Sequence, residues 1–187
     1  PRLTRRVDFL PAQRPLRHSP SPAIYALAAG AMKGITMSDQ QQLAMLERRR
    51  IEAAILKHVY DTLQASHGKD VAQRTLAAAV RASAMAQARE MAERVNGNTS
   101  MQTFIDRQEL WTRGGALTRD VIEQNEGRYR FNVTRCKYAE MYRDMGLAEI
   151  GHLLSCQRDG TFCEGYDKRL KLKRTQTIMQ GASHCDF

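Results

Sequence analysis

The stretch Arg128-Tyr-Arg-Phe-Asn-Val-Thr-Arg-Cys-Lys-Tyr-Ala-Glu-Met-Tyr-Arg-Asp-Met145 decides how this chain is read. In its first half Tyr129, Phe131 and Val133 alternate with Arg130, Asn132 and Thr134. A period of two places one set on a buried face, so this half reads as a strand. The second half, from Lys137 to Met145, reads as helix, interrupted near Gly146. Cys136 falls at the junction.

Upstream the patterning is helical. Ser38 followed by Gln41 is a capping-box pattern that predicts a helix from there to about residue 66. Leu43, Leu46, Ile51, Ile55, Val59 and Leu63 are expected on its apolar face, with Gly68 as the stop. Asp70 is placed to cap a second helix through Leu76, Val80, Met85, Ala88 and Met91 to Val95, ended by Gly97. A third helix is expected from Thr99 or Ser100 through Phe104, Leu110 and Trp111, broken at Gly114-Gly115. A short helix should follow over residues 117–124.

Downstream, residues 147–155 read as a further helical turn or two, and 156–167 as loop. Residues 170–178 alternate in part and read as a second strand. Gly181 to Ser183 should turn, and Cys185 to Phe187 should begin a third strand. The expected class is therefore α+β: a helical N-terminal half packed on a small, mostly antiparallel sheet formed by the C-terminal third.

The composition narrows the function classes. The 187 residues are 42% hydrophobic and 26% charged, as in ordinary globular proteins. No apolar run is long enough to span a bilayer. The net charge of +9 is concentrated at one end. Residues 1–36 hold six basic side chains and one acid, Asp8, and all five prolines fall within the first 22 positions. Residues 1–36 are accordingly expected to be a disordered or non-native leader, or alternatively a targeting segment. Residues 37–187 then form a single domain, truncated at its C-terminal strand. The remaining excess charge is weak and accompanies no groove-reading motif, so nucleic acid is not expected as a partner. Neither is a membrane, while a homo-oligomer is compatible with the chain. The four cysteines, Cys136, Cys156, Cys163 and Cys185, lack C-x-x-C spacing. That argues against zinc, including a site made of Cys156, Cys185 and His184, and reduced thiols in a cytoplasmic setting fit best.

Three blocks carry a family resemblance. They are Asn132-Val-Thr-Arg-Cys-Lys-Tyr-Ala-Glu-Met-Tyr-Arg-Asp-Met-Gly146; Glu149-Ile-Gly-His-Leu-Leu-Ser-Cys156 with Asp159 and Phe162; and Lys171-Leu-Lys-Arg-Thr-Gln-Thr-Ile-Met-Gln-Gly181 with Cys185-Asp-Phe187. In this order they resemble the L-2-amino-thiazoline-4-carboxylic acid hydrolase family. The resemblance implies a cofactor-independent hydrolase that opens a small cyclic amidine or isothiourea to an N-carbamoyl amino acid. The closing segment from Gly181 to Phe187 also resembles four-vinyl-reductase-type domains, which bind small molecules without necessarily transforming them. A non-catalytic ligand-binding or sensor domain is the alternative.

Ring opening needs a nucleophile, a proton donor and a holder for a carboxylate. The candidates are Cys136, Cys156 and Cys185 as nucleophiles and Asp159 as acid or base. The start of a helix is expected to lower the Cys136 thiol pKa. Arg174 is the candidate carboxylate binder. Thr175, Thr177 and Asp186 are candidate substrate contacts, and His152 and His184 are weaker proton carriers. No cofactor or metal is called for.

Overall fold

The computed structural model describes residues 43–187. The expected leader over residues 1–36 and the capping box at Ser38 and Gln41 lie outside this range. The helical layer is built on α1 (Met45–His67) and α2 (Lys69–Glu93). Gly68 alone separates them, with φ 83°, a left-handed conformation that glycine adopts without Cβ strain. α2 starts directly at Lys69. Asp70 therefore sits within its first turn and makes no cap.

The buried face of α1 differs from the expected one. Met45, Arg49, Ala53 and Tyr60 are buried, and Leu56 and Leu63 pack beside them. Leu43, Ile51, Ile55 and Val59 are exposed instead, Ile55 at 65%. Two stripes at helical spacing compete on this helix. The one that wins carries Ala53, 1% exposed, and joins the core to which α2 contributes Ala72, Leu76, Val80 and Ala88. Small side chains let two backbones approach closely, and Arg49 in the same stripe finds a buried partner in Gln87.

The third helix forms in two pieces, α3 (Met101–Arg107) and α4 (Glu109–Thr112), followed by a short 3₁₀ turn. Ser100 caps α3 by accepting the Thr103 amide, while Thr103 accepts the Ser100 amide in return. Gly114 and Gly115, at φ 69° and 66°, end the helical run as expected.

Residues 117–124 are a strand, β1 (Leu117–Gln124), and not a helix. β1 pairs antiparallel with β2 (Tyr129–Cys136) from Leu117 opposite Cys136 to Gln124 opposite Tyr129. The turn between them is set by Asn125. Its side chain accepts the Gly127 amide, and its backbone exchanges hydrogen bonds with Arg128. An eight-residue segment with mixed propensity takes the state its neighbour offers. β2 offers an unpaired edge, and a helix there would leave that edge open.

β3 (Cys185–Asp186) closes the sheet in the order β1-β2-β3. Val133 faces Cys185, and Phe131 and Phe187 exchange both backbone hydrogen bonds. Residues 170–177 are extended but join no ladder, against the expectation of a strand. The Asp186 carboxylate takes their hydrogen bonds instead, accepting from the Thr175 and Gln176 amides and the Thr175 hydroxyl. A 3₁₀ turn follows at Ile178–Gln180, capped by the buried Thr177 hydroxyl.

After β2 comes α5 (Lys137–Asp144), as expected, with Cys136 as its N-cap. A π-helical turn (His152–Cys156) leads without a break into α6 (Gln157–Tyr166). The loop expected at 156–167 is thus a helix. Gly160 and Gly165 signal a loop locally, yet Gly165 serves packing. A Cβ there would lie 2.8 Å from the Ala88 Cβ and 3.1 Å from the Met85 carbonyl oxygen on α2. The architecture is α+β, a helical N-terminal half with a small antiparallel sheet near the C-terminus. Among the described residues no helix is long and apolar enough to cross a membrane.

Candidate functional site

A cavity of about 610 Å³ is lined by both the helices and the sheet. Phe104, Trp111 and Phe162 form its helical side, and Tyr129, Phe131 and Phe187 its sheet side. Each set is preassembled. The Trp111 and Phe162 rings meet edge to face at 5.0 Å, and the Phe131 and Phe187 rings stack at 4.7 Å. α6 supplies Arg158, Asp159, Phe162 and Cys163 to the wall. These four fall three and four residues apart, so they share one helix face.

Asp159 is the site residue whose placement is most informative. Its Oδ2 accepts a hydrogen bond from Arg174 Nη1 at 2.5 Å, and Arg174 Nη2 donates to the Cys156 carbonyl oxygen at 2.7 Å. The Arg174 guanidinium also lies 5.0 Å from the centre of the Phe187 ring. Arg174 thus acts as a strut for Asp159, with Nη1 and Nη2 each engaged by the protein. The Asp159 side chain keeps 36% of its surface accessible because it borders the cavity, although protein surrounds it. Burial pushes its carboxyl above the ordinary carboxylate range, against the opposing pull of Arg174, Arg158 and Arg49. At Arg174 burial is the largest single influence and acts against ionisation, but the Asp159 charge and hydrogen bond together with the neighbouring thiols exceed it, so the guanidinium is held above its ordinary range.

The three candidate nucleophiles surround this pair without facing the cavity. Cys136, Cys156 and Cys185 all feel the Asp159 charge, and Cys156 and Cys185 feel Arg174 as well. None of the three lines the cavity wall; Cys163 does. Cys136 has the expected position at a strand end and helix start, where its Sγ accepts the Ala139 amide. The expected consequence does not follow. Burial overrides that amide and pushes the thiol up to about 11. The Cys156 and Cys163 thiols are raised to about 12, and Cys185 is raised too, each mainly by burial. Cys185 Sγ also accepts the Ile178 amide. All four cysteines are free thiols. Arg135, next to Cys136, points to Glu140 at 2.9 Å.

The remaining candidates hold the frame. Asp186 reaches the cavity but spends its carboxylate on Thr175 and Gln176, which hold it below the ordinary range despite desolvation. Thr175 and Thr177 do not line the cavity, and neither does His152 or His184. His184 contacts Gln176 and Ser183.

Arg49, Gln87 and Arg158 were not among the sequence candidates, and all three line the cavity. They are 3%, 5% and 7% exposed. Gln87 Oε1 accepts from Arg49 Nη2 at 2.7 Å and from Arg158 Nη2 at 3.2 Å. Arg49 is neutralised by Glu52 at 2.6 Å, and although burial acts against ionisation, Arg49 holds the Glu52 carboxyl below its usual range. The signal in sequence is faint: Arg49 falls four residues from both Met45 and Ala53, inside what becomes the helix seam.

The family model of L-2-amino-thiazoline-4-carboxylic acid hydrolase matches residues 48–187. The chain belongs to this family. The matched range contains every residue of the cavity wall, so the Asp159–Arg174 pair and the buried arginines lie within the family domain. No curated protein and no solved structure matches the chain.

Proposed function

We propose that this chain is a hydrolase that opens a small cyclic amidine or isothiourea, such as L-2-amino-thiazoline-4-carboxylate, to an N-carbamoyl amino acid. The observation that carries this reading is the Asp159 carboxyl. It borders a cavity lined by aromatic rings, is fixed by Arg174, and is raised by burial above the ordinary carboxylate range, which makes it a stronger base than a solvated carboxylate. The family's name supplies the reaction class.

The chemistry runs through water. Asp159 accepts a proton from water as its oxygen bonds to the ring carbon between sulfur and nitrogen. The same proton passes to the ring nitrogen as the C=N bond becomes single. The carbon–sulfur bond then breaks, the hydroxyl proton moves to sulfur, and the carbonyl of the carbamoyl group forms. One water is consumed, and the product carries a free thiol. Water is the preferred nucleophile, because Cys136, Cys156 and Cys185 stand behind the wall as protonated thiols.

Incubation of the purified protein with L-2-amino-thiazoline-4-carboxylate tests this reading. Release of a free thiol, lost by roughly 10² to 10⁴-fold in Asp159→Asn, is the expected result. Saturable binding without turnover would replace the hydrolase with a ligand-binding domain on the same fold.

A further inference from the structure

We infer that Arg158 is the carboxylate-binding residue of the cavity, and that the ligand is a monoanionic ring acid held with its ring among Phe104, Trp111 and Phe162. This deepens the hydrolase reading and rests on it for the identity of the substrate, but not for the existence of the anion subsite.

Three arginines, Arg49 and Arg158 buried and Arg174 partly so, stand near Asp159, and two are paired. Arg174 is paired with Asp159, and Arg49 with Glu52. Arg158, only 7% exposed, has no carboxylate within salt-bridge distance among the described residues. Its Nη2 donates to Gln87 Oε1 at 3.2 Å and to Ser83 Oγ at 3.4 Å, both neutral acceptors. Its Nε and Nη1 have no hydrogen-bond partner among the described residues, yet neither is sealed off. The one unpartnered buried side-chain nitrogen or oxygen among those residues is Arg107 Nε. The free donors of Arg158 are therefore reachable, and the residue lines the cavity.

An unpaired guanidinium beside a second one is a costly thing to bury. Burial first and Arg49 second bring its pKa down to about 10, against the smaller opposing pull of Glu52. It remains a cation at neutral pH. A ligand carboxylate entering the cavity would give it a direct ionic partner in a place where water competes poorly.

The placement also suits the chemistry. Arg158 and Phe162 lie one turn apart on α6, and Asp159 lies between them in sequence. A carboxylate on Arg158 would set the attached ring against Phe162 and Trp111, with Asp159 on the same helix face.

The test is a calorimetric titration, made in the Asp159→Asn background so that the acid is not turned over, of the wild-type, Arg158→Gln and Arg158→Lys versions of position 158 with L-2-amino-thiazoline-4-carboxylate and with 2-amino-thiazoline, which lacks the carboxylate. The wild type is expected to favour the acid by roughly 10- to 100-fold, the range of a hydrogen bond to a charged group. Arg158→Gln should lose that preference, and Arg158→Lys should keep part of it. A preference unchanged in Arg158→Gln would overturn the assignment. Should Arg158→Gln fail to fold, the lysine variant decides: an undiminished preference there would overturn it as well. If the wild type binds neither thiazoline, the hydrolase reading fails and benzoate decides the subsite. Benzoate is then expected to raise the melting temperature of the wild type and not of Arg158→Gln. Equal stabilisation of both, or of neither, would overturn the subsite.

Discussion

Asp159 is pulled in two directions, and the balance has a kinetic signature. Burial raises its carboxyl and Arg174 lowers it, with burial the larger effect. A base of this kind makes the rate climb with pH through a raised carboxylate pKa and then level off. A thiolate nucleophile would behave differently, because Cys136 ionises near 11 and Cys156 near 12. Turnover measured from pH 5 to 9 is therefore expected to reach a plateau. A rate still rising about tenfold per pH unit at pH 9 would return the role to a cysteine. At the same scale, Cys136→Ala is expected to keep turnover within a few-fold of wild type. Its cost should be the loss of a partly buried packing group, about 1 kcal/mol in a melting experiment.

At the scale of elements, α6 has to fit tightly on α2. Gly165 is the point of closest approach, since its missing Cβ leaves room for Ala88 and the Met85 backbone. Gly165→Ala is expected to destabilise the fold by about 1–3 kcal/mol through overpacking, although alanine is the better helix former. Chemical denaturation would measure this, and a neutral or stabilising effect would show that the two helices can shift apart. The far end of α6 is pinned by Asp167, which accepts hydrogen bonds from Arg169 and from the Thr99 hydroxyl just before α3. The Arg169 hydrogen bonds, the largest influence, hold the Asp167 carboxyl well below the usual range. A depressed carboxyl adds stability that is fully present above its unfolded value and is lost as pH falls toward its folded one. Asp167→Asn should therefore melt lower than wild type at pH 7. The gap should narrow below about pH 4, where an ordinary carboxyl protonates; a gap that does not depend on pH would remove the ionic explanation.

At the scale of the whole molecule, charge and cavity work together. Arg128, Arg130, Lys171 and Lys173 line the same cavity as Arg158, while Asp159 and Asp186, its two acids, are each engaged by protein donors. A field of this sign draws anions inward and is screened by salt. KM for an anionic substrate is expected to rise several-fold between about 50 and 500 mM salt, with kcat changing little. A flat KM would show that the rim plays no part in capture.

Some of this was legible in the residues alone. The alternation Tyr129, Phe131, Val133 marked the central strand, and Gly68 and Gly114-Gly115 marked helix ends, because these signals are local and depend on backbone geometry. Asp159 and Arg174 stood out in separate blocks as candidate site residues, and the structure joins them by a hydrogen bond. Other features needed the third dimension. Residues 117–124 became a strand because β2 lay ready to pair with them. Residues 157–166 are a helix rather than a loop, seated on α2 where Gly165 fits against Ala88 and Met85. The segment 170–177 stayed out of the sheet because a single carboxylate, Asp186, took the hydrogen bonds a ladder would have used. The cysteines drew attention as reactive groups, yet reactivity is set by burial, which no spacing encodes. Arg158 reads in sequence as one more surface cation. Only the packing of α6 against α2 leaves it buried at the wall of the cavity with no carboxylate within ion-pair distance among the described residues.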